Sequence, residues 1–193
     1  MLSFHKSVTL ATLLLISSVI SGCVTLNSQE LDLHPELQVS RKLDKNTRID
    51  VQAKDIRINK VIGYRATGED PLPEIVLKDS VTLLKHTTEH ALEDMGIRRL
   101  FPGEFKLQID LVDLNYQVTK VALKQTIDLN MKIKVDLSKG NKRYTGSYSS
   151  NKQHIFVGTP SEEDNTKIIN ELVTENMNLM VNDPQLLDFI QFN

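Results

Sequence analysis

Residues 86–90 read His-Thr-Thr-Glu-His, an order in which two helical histidines four apart can share a zinc ion while the glutamate activates water. Hydrolysis by such a site also needs a third protein ligand and a cleft that excludes bulk water. The remaining histidines of the mature region, His34 and His154, stand at no ligand spacing from the pair. Three readings are open for His86, Glu89 and His90: a zinc hydrolase, adventitious surface metal binding, or a solvated helix face. The periodicity favours the last. Val81, Leu84, Ala91, Leu92 and Met95 mark one apolar stripe of a helix, and His86, Glu89, His90 and Glu93 fall on the opposite side. No catalytic residue, metal or cofactor is therefore expected.

A second constellation is Asp55, Arg57, Gly63 and Arg65. Two guanidinium groups can hold an anionic ligand or a partner's carboxylate bidentately. In the alternative reading Asp55 pairs with one arginine to fix a strand-to-loop crossing, and Gly63 permits a tight backbone path. Lys139, Lys142 and Arg143 at a hairpin tip, with Lys132 and Lys134 on the exposed strand face, raise a third possibility, attraction to anionic headgroups or lipopolysaccharide phosphates. Charged turn and edge residues also prevent aggregation. Arg98 and Arg99 would favour the negative end of the helix before them. No P-loop, G-x-S-x-G or G-x-G-x-x-G occurs, so nucleotide and serine-hydrolase chemistry have no foothold.

Composition narrows the setting. The 193 residues carry 23 Lys and Arg against 25 Asp and Glu, so no global field argues for nucleic acid as a partner. The first 22 residues read as an export signal: Lys6, then the apolar run Val8–Ile20, then small residues. That run rises roughly 20 Å as a helix, short of the ~30 Å hydrocarbon core of a bilayer. Ile20-Ser21-Gly22-Cys23 resembles the lipobox of bacterial lipoproteins, in which the cysteine is lipidated and becomes the first residue of the mature chain. Cys23 is the one cysteine present, so it has no intramolecular disulfide partner in an oxidising compartment. A lipobox implies several acyl chains, enough for firm anchoring. With Val24 rather than Asp following, the expected address is the periplasmic face of the outer membrane.

Residues 23–30 then form the lipidated cysteine and a short tether, and residues 31–193 one domain. Leu31, Leu33, Leu37 and Val39 around Pro35 predict an edge strand or extended segment. Ile49, Val51 and Ala53 alternate as a half-buried strand, and an extended piece surrounds Val61 and Ile62. The helix starts at Asp79 or Ser80 and ends at Met95 with Gly96 as its stop. Three antiparallel strands follow, with a bulge near Leu111 and Val112 that keeps one face buried. Ile127 to Leu137 alternates with polar residues, and a hairpin turn at 138–142 leads into the third strand. Thr159-Pro160-Ser161-Glu162 predicts a capping box opening a second helix. Asp183-Pro184 caps a short last helix whose Leu186, Leu187, Phe189 and Ile190 close the core. The fold class expected is α+β, a mainly antiparallel sheet (the three-strand meander plus N-terminal strands) with two helices packed on one face.

Asp55-Ile56-Arg57 followed by Val61-Ile62-Gly63-Tyr64-Arg65 matches a D-x-R…IG-x-R pattern, and the tail reads Leu-Leu-Asp-Phe-Ile-Gln-Phe-Asn. With the lipobox and the element order, the chain resembles the YajG-type family of bacterial lipoproteins over its mature length. It differs in a longer charged loop at 41–48 and in the loop at 67–73. The resemblance implies an outer-membrane lipoprotein without assigned chemistry, similar in layout to small periplasmic lipoproteins that assist envelope assembly. The expectation is a non-enzymatic module held at the membrane by its lipid, with a protein or envelope component as partner. The rivals are the zinc hydrolase and a purely structural subunit of an envelope complex.

Overall fold

The computed structural model describes residues 28–44, 46–67, 72–97 and 103–193. The signal segment 1–22, Cys23 and the pair Arg98 and Arg99 lie outside the described residues. The elements run β1 (Gln29–Leu31), β2 (Ile49–Asp55), β3 (Val61–Tyr64), β4 (Glu74–Leu77), α1 (Ser80–Asp94), β5 (Phe105–Val121), β6 (Lys124–Lys139), β7 (Lys142–Val157), α2 (Glu162–Val181) and α3 (Pro184–Phe192).

The meander of long strands forms as its alternation predicts. Ile127, Leu129, Met131, Ile133, Val135 and Leu137 of β6 are all buried, and so are Phe105, Leu107, Ile109, Leu111, Leu114 and Tyr116 of β5. The change of phase in β5 is absorbed by a register shift between Leu111 and Asp113. The extra residue keeps Leu114 and Tyr116 on the same buried side as Phe105, Leu107, Ile109 and Leu111.

The sheet is not mainly antiparallel. Among the described residues its seven strands follow the order β1-β4-β3-β5-β6-β7, with β2 also paired to β5. β1 runs parallel to β4, and β2 and β3 both run parallel to β5. β4, which feeds α1, runs antiparallel to β3. β2 and β3 are joined to β5 only through the long connection that contains β4 and α1, and a connection of that length allows parallel pairing where a tight hairpin would not. Alternation fixes which face of a strand is buried but is silent about its direction. Among the described residues three helices, not two, cover the buried face, because the nine-residue α3 joins α1 and α2 with Leu186, Leu187 and Ile190 buried.

Two local expectations shift. Val81 is exposed rather than part of the stripe of α1, and Thr88 is buried with Leu84, Ala91 and Leu92. α2 starts two residues later than the Thr-Pro signal indicates: Ser161 is its N-cap and Asp164 completes the capping box. Asp79 caps α1 by accepting from the backbone N–H of Thr82 at 2.9 Å, and Gly96 ends it at φ 95°.

Between β1 and β2 the chain is an extended strap. Leu33 and Leu43 are buried, and Leu37 and Val39 pack against the core. Two asparagines of α2 and its C-cap Asn182 bind part of the strap's backbone. The N–H groups of His34, Gln38 and Ser40 donate to Oδ1 of Asn170, Asn178 and Asn182 at 2.9, 2.9 and 2.8 Å. Four helical residues rise about 6 Å and two extended residues about 6.6 Å, so the two backbones keep step.

Candidate functional site

Asp55 ends β2, and Arg57 follows two residues later. The carboxylate accepts from Arg57 Nε at 3.0 Å and Nη2 at 2.7 Å, and from the Arg57 backbone N–H at 3.1 Å. Ser80, at the start of α1, donates its hydroxyl to Oδ2 at 2.8 Å, and Lys60 Nζ stands 3.0 Å from Oδ1. Burial pushes the Asp55 carboxyl up, but the hydrogen bonds from Arg57, Lys60 and Ser80 outweigh it and hold the group well below the usual carboxylate range. The arrangement clasps the end of β2 to the head of α1. Sequence reasoning missed Ser80 and Lys60, which bear no spacing signal relative to Asp55.

Arg65 belongs to a different cluster. Its Nη1 donates to Glu162 Oε1 at 2.5 Å, at the first turn of α2. Around it lies a buried polar chain: Tyr116 Oη donates to Asn165 Oδ1 at 2.8 Å, and Asn165 Nδ2 to Gln29 Oε1 at 3.1 Å. Burial raises the Tyr116 hydroxyl to about 12 despite the nearby Arg65 charge. The carboxylate on Arg65 is thus Glu162, while Asp55 pairs with Arg57.

Gly63 has a packing role. A Cβ there would stand 2.2 Å from the carbonyl oxygen of Tyr116, its neighbour across the β3–β5 contact. Only glycine lets the two backbones approach this closely.

The histidine pair sits on an open surface. His86 and His90 are exposed on α1, and His90 Nδ1 lies 3.3 Å from Asp94 Oδ2 one turn on. Among the described residues no group of three or more His, Cys, Asp or Glu side chains is placed to share a metal. The same residues border a groove of about 840 Å³ between the strap and α1. Leu33, Leu37, Leu83 and Ala91 line it, with His34, His86 and His90 along it.

The basic residues near the β6–β7 turn have structural partners. Lys139 Nζ lies 3.0 Å from Glu104 Oε2 and 4.6 Å from the centroid of the Phe105 ring. Lys142 Nζ donates to Asn193 Oδ1 at 2.7 Å, and Arg143 pairs with Asp136. Nearby, Tyr144 and Tyr148 both donate to Asp183 Oδ2 at 2.7 Å, the N-cap of α3. Burial pushes the Tyr148 hydroxyl far up, with Tyr144 and Asp183 adding to it.

Comparison with known proteins now adds the family. A model described as an uncharacterized lipoprotein matches residues 35–191. The chain belongs to the YajG family of lipoproteins. A search of curated proteins finds no match. Among solved structures, a protein of Xanthomonas campestris is similar at 11% identity and TM-score 0.46, over 79% of this chain and 93% of that one. An uncharacterized protein gives 9% identity and TM-score 0.46, over 80% and 99%. A lipoprotein of Neisseria meningitidis gives 15% identity and TM-score 0.30, over 69% and 97%.

Proposed function

We propose that this lipoprotein is anchored through Cys23 at the periplasmic face of the outer membrane. There it acts as a non-enzymatic binding or accessory module in envelope assembly or maintenance. The observation that carries the binding role is the groove between the strap and α1. Leu31, two residues past Gln29, is among its lining residues, so the groove lies close to the root of the tether. Its leucine-lined interior and polar border suit a segment of a partner protein. The Asp55 and Arg65 clusters lend themselves less to this role, because their charges are turned on one another.

The test is in-cell photocrosslinking from Thr87, which lines the groove, in wild type and in Cys23→Ala, followed by mass spectrometry of the adducts. One recurrent envelope protein, lost when the anchor is lost, is the expected result. Adducts that ignore the anchor, or none above those formed from a distant surface position, would contradict the reading. Elemental analysis addresses the zinc hydrolase: stoichiometric zinc that disappears in His86→Ala would favour it instead.

A further inference from the structure

Four large aliphatic side chains are left in water at one end of the meander. Val121 is 69% exposed, Leu123 77%, Ile155 65% and Val157 81%. They are neighbours. Val121 pairs with Lys124 and Lys124 with Val157, while Ile155 opposes Thr126 one row further in. The Gly158 N–H donates to the Leu123 carbonyl at 2.8 Å, closing the cluster around the β5–β6 turn. Lys124 stands between the two valines, and Lys120, paired with Gln125, lies on the other face of the sheet; both lysines are exposed. Of the acidic residues in the first turn of α2, Glu162 is paired with Arg65 and Asp164 is held in the capping box. Glu163 is exposed.

The root of the tether lies at this same end. Gln29 Nε2 donates to the Glu162 carbonyl at 2.7 Å and to Thr166 Oγ1 at 3.3 Å. From Gly158, bonded to Leu123, the chain reaches Glu162 in four residues, at most about 14 Å. From Gln29 back to Cys23 is six residues, at most about 20 Å. A bilayer holding a lipid on Cys23 is therefore within reach of the bare turn.

We propose that Val121, Leu123, Ile155 and Val157, with Lys124 between the valines and Lys120 on the other face of the tip, form a second membrane contact that seats the domain on the bilayer holding its own lipid anchor. The aliphatic groups enter the boundary between headgroups and acyl chains. The lysines stay at the level of the phosphates, their stems lying along apolar surface. A contact of this kind gives a short-tethered domain one orientation on the membrane. It rests on the anchoring proposed for Cys23.

The chain has no tryptophan, so a single one reports without background. Leu123→Trp and, at the opposite turn, Asn141→Trp are prepared as full lipoproteins and reconstituted in phosphatidylethanolamine–phosphatidylglycerol vesicles. Flotation and the mass of the Cys23 peptide report the anchor. Emission and quenching by brominated lipid report the tip. The expected result is a blue shift and strong quenching for Leu123→Trp, with Asn141→Trp unchanged from solution. If the protein floats and its Cys23 is lipidated, yet Leu123→Trp stays aqueous, the second contact is overturned and the anchor stands. If Cys23 carries no lipid, the anchor fails. The tip is then judged by adding vesicles to the unlipidated protein, where a shift supports the contact and its absence overturns it. Val121→Asp in the Leu123→Trp background should abolish the shift, and a shift that survives it would overturn the proposal.

Discussion

The two ends of the β5–β6–β7 meander are built in opposite ways. At the β6–β7 turn, Lys139, Lys142 and Arg143 are each held by a partner, and Phe105 packs edge-on against Phe189 with centroids 6.3 Å apart. At the β5–β6 turn, two valines, a leucine and an isoleucine are left uncovered. The basic turn that invites a membrane reading in the sequence is engaged within the fold. The end with the free apolar surface lies beside the root of the tether. The contrast extends across the molecule, since the conspicuous polar constellations hold elements together.

Four substitutions can break or sharpen that contrast. The largest effect is expected for Asp55→Ala. It leaves the Arg57 guanidinium, 5% exposed, without its carboxylate and should cost about 3–5 kcal/mol, read by denaturant unfolding. The folded-state pKa of Asp55 lies below the unfolded one, so its stabilisation is present above the ordinary value of 3.8 and is lost as the pH falls below it. Asp55→Ala should therefore flatten the acid limb of the stability profile. Asp183→Ala removes the cap of α3 and the shared acceptor of Tyr144 and Tyr148. About 2 kcal/mol is expected, with Tyr148→Phe in the same background costing little more, as a double-mutant cycle would reveal.

The strap offers a gain. The register of Asn170, Asn178 and Asn182 against His34, Gln38 and Ser40 places Thr174 opposite Glu36, where a carboxamide rung is absent. Thr174→Asn should add one backbone hydrogen bond and about 0.5–1 kcal/mol of thermal stability, measured by calorimetry. The smallest effect belongs to the bare tip. Leu123→Ser should leave unfolding within about 0.5 kcal/mol of wild type, because no core contact is lost. A large loss there would mean that the turn is part of the core rather than a contact surface.

Much of this architecture was legible in the sequence. Alternation gave the meander, the hairpin and even the bulge at Leu111, since burial on one face allows only one phase. The buried stripe of α2 from Ile168 to Val181 followed from its helical period. Strand direction was not legible, because β2 would alternate in the same way whichever way it ran along β5. The split between Asp55 and Arg65 was hidden for a related reason: ten residues apart in sequence, they are drawn to the heads of two different helices. A signal for the strap did exist. Three asparagines on one flank of α2 are poor helix formers, and their spacing of eight and four matched an extended backbone waiting for acceptors.

The most direct test of the contrast between the two ends is hydrogen exchange of the lipidated protein on vesicles, set against Cys23→Ala in solution. The account predicts added protection confined to residues 119–125 and 154–158, with 138–143 unchanged. Added protection at the β6–β7 turn, with none at the β5–β6 turn, would contradict it.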